Sequence, residues 1–523
     1  MPPLCFTLVI LFAIEFLVNF ICNQWKRSHE REVLIQKLPD NVLSSIISYL
    51  PVEEALRTSV VAKSWRSLWS YTSHLDFDQN RMLEFAFQQW FKIYNDRGTS
   101  QEEVYDAYDN LMFQFGHLIR SFRNMLVHHC GVVRSCRIVH ITDSCRNGDI
   151  VGLIRYLVDE KRVQELDLEC QFRESWDPVY LYQNFKGDAL TATRIKIIVP
   201  PTLDLSFRVL ASCVVLKLTN YVLKNSSPLP VCQNLKTLKL NKVWISEELF
   251  EGILLNCVSL EHLCLIGCKQ IKRLRIHSLR IKFLELREMT LVRIEIFAAN
   301  LEVMVLDTLV CQWRGLVIDA PKVRVFRAYY SDPKARGMSK LHFQRVLLTT
   351  RVILTTFTNR LNKVLCLTCI IVYVFNFIKT SKGSVRTNML VNLVTLSIDL
   401  DLNGGRDILA LYLALRSCIS LENLEINIKD YNSSQNPSSY IGSMFWERVE
   451  PCICICQKLK TVCLRGFRGR EREVEFAKYL IARATMVERI TIICNTSIQM
   501  DEKLLSIRRA SGNLLINLKF KTG

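Results

Sequence analysis

The sequence predicts an α/β chain: a small all-helical module near the N-terminus, then a long solenoid of strands, then a mixed α+β tail. Three observations carry this. Residues 38–69, LPDNVLSSIISYLPVEEALRTSVVAKSWRSLW, hold short amphipathic helical patterns broken by proline. Leucine and isoleucine at L-x-x-L-x-L spacing recur from Val163 to Ile492. From Phe445 the pattern becomes strand, basic turn, amphipathic helix and strand.

In the helical module, Pro39 opens a helix because its missing N–H would be unpaired there, and Val42, Leu43, Ile46, Ile47 and Leu50 follow on one face. Pro51 is expected to end it. A second helix from Val52 turns Ala55, Leu56 and Ser59 inward, and a third aligns Val61, Trp65, Leu68 and Trp69. About 40 residues seldom bury enough apolar surface to be stable alone, so part of these stripes is expected to pack on another protein or domain. The module reads as a docking unit.

Leu38-Pro39, Leu43, Ile47, Leu50-Pro51, Ala55, Thr58-Ser59, Trp65-Arg66 and Leu68-Trp69 stand in the order of the F-box, and the segment resembles that family as written in plants. His74-Leu75-Asp76-Phe77-Asp78 resembles the short strand that follows the motif there. Ala62 and Ser64 depart from it, standing where the family often has serine and a basic residue. The resemblance implies a three-helix F-box over residues 33–78. It also implies binding of a Skp-family adaptor through Leu38, Pro39, Leu43, Ile47, Leu50, Pro51, Ala55, Val60, Val61 and Trp65, and of a cullin through that adaptor. A helical linker is expected over 79–130.

With 523 residues, 49% hydrophobic and 23% charged, the chain is globular, and its length suits about three domains or fewer if repeats run as one unit. Its 20 cysteines are sparse beside disulfide-stapled secreted domains, which points to a reducing compartment, cytoplasmic or nuclear. Their placement says more. A pattern C-x-x-L-x-x-L-x-L appears at Cys232 with Leu235, Leu238 and Leu240, at Cys257 with Leu260, Leu263 and Leu265, and at Cys418 with Leu421, Leu424 and Ile426. Looser copies start at Cys213 and Cys456. A small apolar residue suits the point where a helix meets the next turn of a leucine-rich solenoid. Cys366 and Cys369 form one C-x-x-C without a second pair at zinc spacing, so no metal is expected. Cys452, Cys454 and Cys456 alternate as along a strand, pointing to one face.

Further copies lie at Val163-Leu166-Leu168, Leu393-Leu396-Ile398 and Val487-Ile490-Ile492, and four start at Ile271, Ile281, Leu291 and Leu301. The longer gaps leave room for a helix, as in ISEELFEGILLNC before Leu260. The short gaps from Ile271 to Leu301 leave none, so strand, turn and strand are expected, in an irregular leucine-rich-repeat solenoid over 131–430. Leu464-Arg465-Gly466-Phe467-Arg468-Gly469 followed by Glu475-Phe476-Ala477-Lys478-Tyr479-Leu480 resembles the FBD region that closes plant F-box proteins with leucine-rich repeats. Residues 445–523 are expected to form this α+β cap.

The net charge of +18 is local: residues 321–390 hold 13 lysines and arginines against one acid, and 451–523 hold 14 against 6. A basic patch can track phosphates or a membrane surface, but no nucleic-acid motif accompanies it. A solvated face or an atypical insertion near 333–390 is the expected reading. That insertion contains VLCLTCIIVYVFNFI, residues 364–378, which is short for a membrane span. Residues 4–22 are nearly continuously apolar within an N-terminal extension, 1–30. Two readings stay open there: a membrane anchor with residues 25 onward in the cytosol, or an extension upstream of the true start.

Phosphate cradles, zinc proteases and serine hydrolases lack their sequence signatures. G-x-x-x-x-G-K-[ST], G-x-G-x-x-G, H-E-x-x-H and G-x-S-x-G are all missing, and His128-His129-Cys130 has no carboxylate at fixed spacing. No catalytic residue, metal or cofactor is expected. The resemblance implies a substrate receptor of a cullin ubiquitin ligase whose repeats hold an unknown target protein. A scaffold without ligase function and a basic surface-binding protein are the alternatives.

Overall fold

The computed structural model describes residues 38–60, 65–96, 98–141, 149–171, 202–203, 213–224, 232–311, 316–329, 392–429, 444–494 and 507–520. Residues 4–22, the whole stretch 333–390 with its Cys366/Cys369 pair, and Val61 lie outside these. Among the described residues no helix is long and apolar enough to cross a membrane. The chain divides into two compact units, residues 1–77 with 124–133, and 78–123 with 134–523.

The first unit is helical until its end. Helices Asp40–Ile47 and Val52–Arg57 are followed by single 3-10 turns at Thr58–Val60 and Leu68–Tyr71, and strand His74–Asp78 begins in this unit. Both prolines sit at N-cap positions. Pro39 O accepts from Val42 N at 2.9 Å and Leu43 N at 3.1 Å, and Pro51 O accepts from Ala55 N at 2.8 Å. Pro51 therefore starts the second helix as well as keeping the first from continuing. The first stops at Ile47, where Tyr49 N and Leu50 N bond to Ile46 O and Ile47 O in a tight turn, because a residue before proline is driven out of the helical region.

The second unit is built on one parallel sheet. Its strands, in spatial order, are Ser135–Ile141, Glu165–Gln171, Val215–Thr219, Thr237–Asn241, His262–Ile266, Phe283–Arg287, Val303–Asp307, Val325–Tyr329, Thr395–Leu400, Asn423–Ile428, Thr461–Phe467, Arg489–Cys494 and Leu515–Phe520. Sequence order equals spatial order, the mark of a solenoid in which each turn contacts only its neighbours. The expected leucines are the core. Leu166, Leu216, Leu238, Leu263, Leu284, Met304, Phe326, Leu396, Leu424, Val462 and Ile490 stand in one stacked row, all buried.

What fills the other side of each turn depends on the residues available. Where the gap is long a helix lies there: Asp149–Asp159, Glu247–Asn256, Gly405–Ser417 or Glu471–Arg483. Ser246 caps the second of these by accepting from Leu249 N at 3.2 Å. Cys257 and Cys418 are the C-cap residues of the second and third, both buried, as a small apolar residue at that junction requires. In the short-gap region the copies at Leu274 and Ile294 do not join the main sheet. Strands Arg273–His277, Arg293–Phe297 and Leu316–Asp319 form a second parallel sheet, with Leu274 paired to Ile294 and Ile276 to Ile296. Ten residues cannot hold a helix and its two turns, so a strand replaces it.

Successive turns leave the main sheet through a left-handed residue: Asn220 (φ 62°), Lys242 (φ 52°), Gly267 (φ 58°), Glu288 (φ 53°) and Thr308 (φ 51°). Their N–H groups form a ladder, Asn220 to Asn241 O at 3.0 Å, Gly267 to Arg287 O at 2.8 Å and Glu288 to Asp307 O at 2.9 Å. That ladder offsets the cost of the left-handed backbone.

The tail extends the same sheet. Thr461–Phe467 pairs with Asn423–Ile428, and two more strands follow. In LRGFRG, Gly466 (φ 75°) and Gly469 (φ 73°) are left-handed, and the strand register slips between Arg465 and Phe467. Cys452–Cys456 is not a strand: Ile453–Gln457 is helical with Cys452 as its N-cap. Period-2 alternation over five residues is too short to separate from one helical turn. Cys452 and Cys454 are buried nonetheless, and Trp446 packs on Phe476 at 4.6 Å and Tyr479 at 5.1 Å.

Candidate functional site

The helical unit sorts its apolar residues into two sets. Leu43, Ile47, Ala55, Trp65 and Leu68 form one buried cluster, with Leu50 and Trp69 packed against it. Helical spacing puts Leu43 and Ile47 on one face of the first helix; the second helix buries Val52 and Ala55, of which Ala55 joins the cluster. Its inward face is small because Leu56, expected inside, is exposed. Thr58 Oγ1 donates to Ala55 O at 2.6 Å, and Arg57 pairs with Glu54 at 2.6 Å on the solvent side.

The second set faces outward. Leu38, Val42, Tyr49, Leu56, Val60 and Tyr71 are large apolar or aromatic residues left exposed on a unit of few residues, Val60 to 88%. These side chains are the candidates for an interaction surface.

The ten residues expected to bind an adaptor divide between these sets. Leu38, Pro39 and Val60 are exposed, and Leu50 and Pro51 are half-buried. Leu43, Ile47, Ala55 and Trp65 are buried in the unit's own core, and Val61 lies outside the described residues. Val42, Tyr49 and Leu56 were assigned no such role by the sequence pattern, yet they stand exposed. The pattern set Val42 on one face with Leu43, and its exposure corrects that: one residue along a helix is a turn of about 100°, enough to leave the core stripe.

The outward face of the main sheet is the second surface. Its charges alternate and pair across strands: Arg137 with Glu169 at 3.3 Å, Lys217 with Asp167 at 3.5 Å, Lys429 with Asp399 at 3.6 Å and Arg465 with Glu425 at 2.6 Å. Among the described residues no group of three or more His, Cys, Asp or Glu is arranged to hold a metal. His129, from the compact His128-His129-Cys130 cluster, is buried beside Thr72 Oγ1 at 3.4 Å and 6.4 Å from the Trp69 ring.

The F-box domain matches residues 35–75, and the family described as At1g61320/AtMIF1, LRR domain, matches residues 190–511. The chain is 27% identical over 490 residues to the F-box protein At1g80960 of Arabidopsis thaliana, covering 92% of this chain and 87% of that one. It is 23% identical over 527 residues to the FBD-associated F-box protein At5g22730 of the same plant, covering 93% and 94%. Against the putative F-box/LRR-repeat protein At5g02930, also from Arabidopsis thaliana, it is 30% identical over 261 residues, covering 50% and 43%. An F-box at the N-terminus, a parallel solenoid of leucine-patterned turns and these likenesses lead to one statement: the chain belongs to the plant F-box proteins with leucine-rich repeats.

Proposed function

We propose that this chain is the substrate-recognition subunit of an SCF-type cullin ubiquitin ligase. The observation that carries the reading is the exposed apolar set on the F-box unit, above all Leu38, Val42, Leu56 and Val60, surrounding a core that is already closed. Leu38, Pro39, Leu50, Pro51 and Val60 would make the adaptor contact, with Val61 beside them. Leu43, Ile47, Ala55 and Trp65 would hold the frame that presents it. This division follows from burial, since a side chain spent in the core has no surface left to give a partner.

The repeats would hold the target protein. Paired, alternating charges on the sheet's outward face suit a protein surface better than a phosphate backbone, which calls for one sign. The receptor carries out no chemistry and needs no cofactor. It raises the effective concentration of a target lysine near a ubiquitin-charged enzyme bound elsewhere in the assembly.

The test is assembly of the full chain with a Skp-family adaptor and a cullin, followed by size exclusion. One peak containing all three proteins is the expected result. Cullin that elutes without the folded chain, adaptor being present, would remove the ligase reading and leave a leucine-rich scaffold.

A further inference from the structure

The main sheet ends at Leu515–Phe520, which pairs in parallel with Arg489–Cys494 and has no further strand on its other side among the described residues. In a parallel ladder a residue directs both its N–H and its C=O to one neighbour, and the next residue directs them to the other. Leu515 N donates to Glu488 O at 2.9 Å. Leu515, Asn517 and Lys519 therefore face the ladder, and Ile516, Leu518 and Phe520 turn their backbone groups to the open side. The side chains are unfinished too. Ile516 and Leu518 stand opposite Ile490 and Ile492, which are fully buried, yet are themselves only half-buried, and Leu515 and Phe520 are exposed.

The surroundings are cationic. Arg489, Arg508, Arg509 and Lys519 are exposed, and the acid among the described residues from 484 to 520 is Glu488. We infer that the edge Leu515–Phe520 accepts an extended segment of a partner protein as one further strand, a segment alternating apolar side chains with aspartate or glutamate. Its apolar residues would cover Ile516 and Leu518, and its carboxylates would meet Lys519 and Arg489. Charge selects this occupant. A second copy would bring an equally basic edge, and the apolar stretch 364–378 of this chain is flanked by Lys363 and Lys379 in an acid-free run. The inference does not depend on adaptor binding.

The experiment titrates the full chain into three fluorescein-labelled eight-residue peptides: alternating valine and glutamate, the same with lysine for glutamate, and the glutamate peptide N-methylated at alternate amides. Fluorescence anisotropy should show saturable binding of the first and binding at least about tenfold weaker for the other two, with affinity falling as salt rises. Leu518→Pro removes an open-side N–H and no ladder bond, and should weaken the first peptide by about as much at unchanged circular dichroism. Should that variant fail to fold, the N-methylated peptide decides on the wild-type chain alone. Equal binding of the methylated and unmethylated peptides, or no binding by the folded chain, overturns the proposal. A concentration-dependent dimer abolished by Leu518→Pro overturns it as well, by assigning the edge to a second copy.

Discussion

His140 is fully buried, and two partners fix its tautomer. Its Nδ1–H donates to Ile141 O at 2.8 Å, which leaves Nε2 to accept from the Tyr221 hydroxyl. Burial lowers its pKa from 6.5 to about 4, against a smaller opposing effect of the Ile141 bond. The folded value lies below the unfolded one, so the contribution is complete above about pH 6.5 and is lost as pH falls toward 4. Urea unfolding at pH 7.5 and pH 5.0 should differ by about 2 kcal/mol from this residue, a difference missing from the His140→Gln variant. Burial likewise pushes the thiols of Cys213, Cys268 and Cys454 up to about 12. Iodoacetamide at pH 8 should label exposed Cys130 in the native chain and spare those three; modification of all four alike would contradict the structural role. The leucine and cysteine positions were legible because a stacked core repeats one chemical demand at one phase. His140 was not, since a single histidine in SCRIVHI carries no periodic signal.

At the scale of elements, the left-handed exits from the main sheet were invisible in the sequence. Asparagine, lysine, glycine, glutamate and threonine occupy Asn220, Lys242, Gly267, Glu288 and Thr308, and no shared side chain announces the shared backbone. Lys242 adopts a φ of 52° that glycine reaches without steric cost. Lys242→Gly should therefore raise stability by about 0.5 kcal/mol, read as a higher urea midpoint at an unchanged slope, because relief of the left-handed strain of about 1 kcal/mol outweighs glycine's larger unfolded entropy. A lowered midpoint would mean that the lysine stem contributes more by packing than the backbone loses. The run of strand, turn and strand expected from Ile271 to Leu301 stands there without an outer helix, but the pattern did not say that the strands around Leu274 and Ile294 build a second sheet. Cys452–Cys456 read as a strand and is helical, since a pattern of five residues specifies burial without specifying which layer or helix provides it.

For the whole molecule, the order of helical unit and solenoid was legible, whereas the tail expected as a separate α+β cap continues the solenoid's own parallel sheet. The proline and tryptophan order of residues 38–69 and the recurrence of L-x-L were long enough to rise above local ambiguity. Which docking residues remain available was not legible, because amphipathic spacing marks a face as apolar without saying whether the chain or a partner covers it. Leu43 and Leu38 look alike in the motif, yet one is 3% and the other 36% exposed. The central claim is that the exposed set, and not the core set, meets the adaptor. Isothermal titration of a Skp-family adaptor with the full chain and with Leu38→Asp/Val60→Asp, alongside the melting temperature of each, tests it most directly. Affinity reduced by about thirtyfold or more at an unchanged melting temperature is the predicted result; equal affinity for the two folded proteins would contradict the claim.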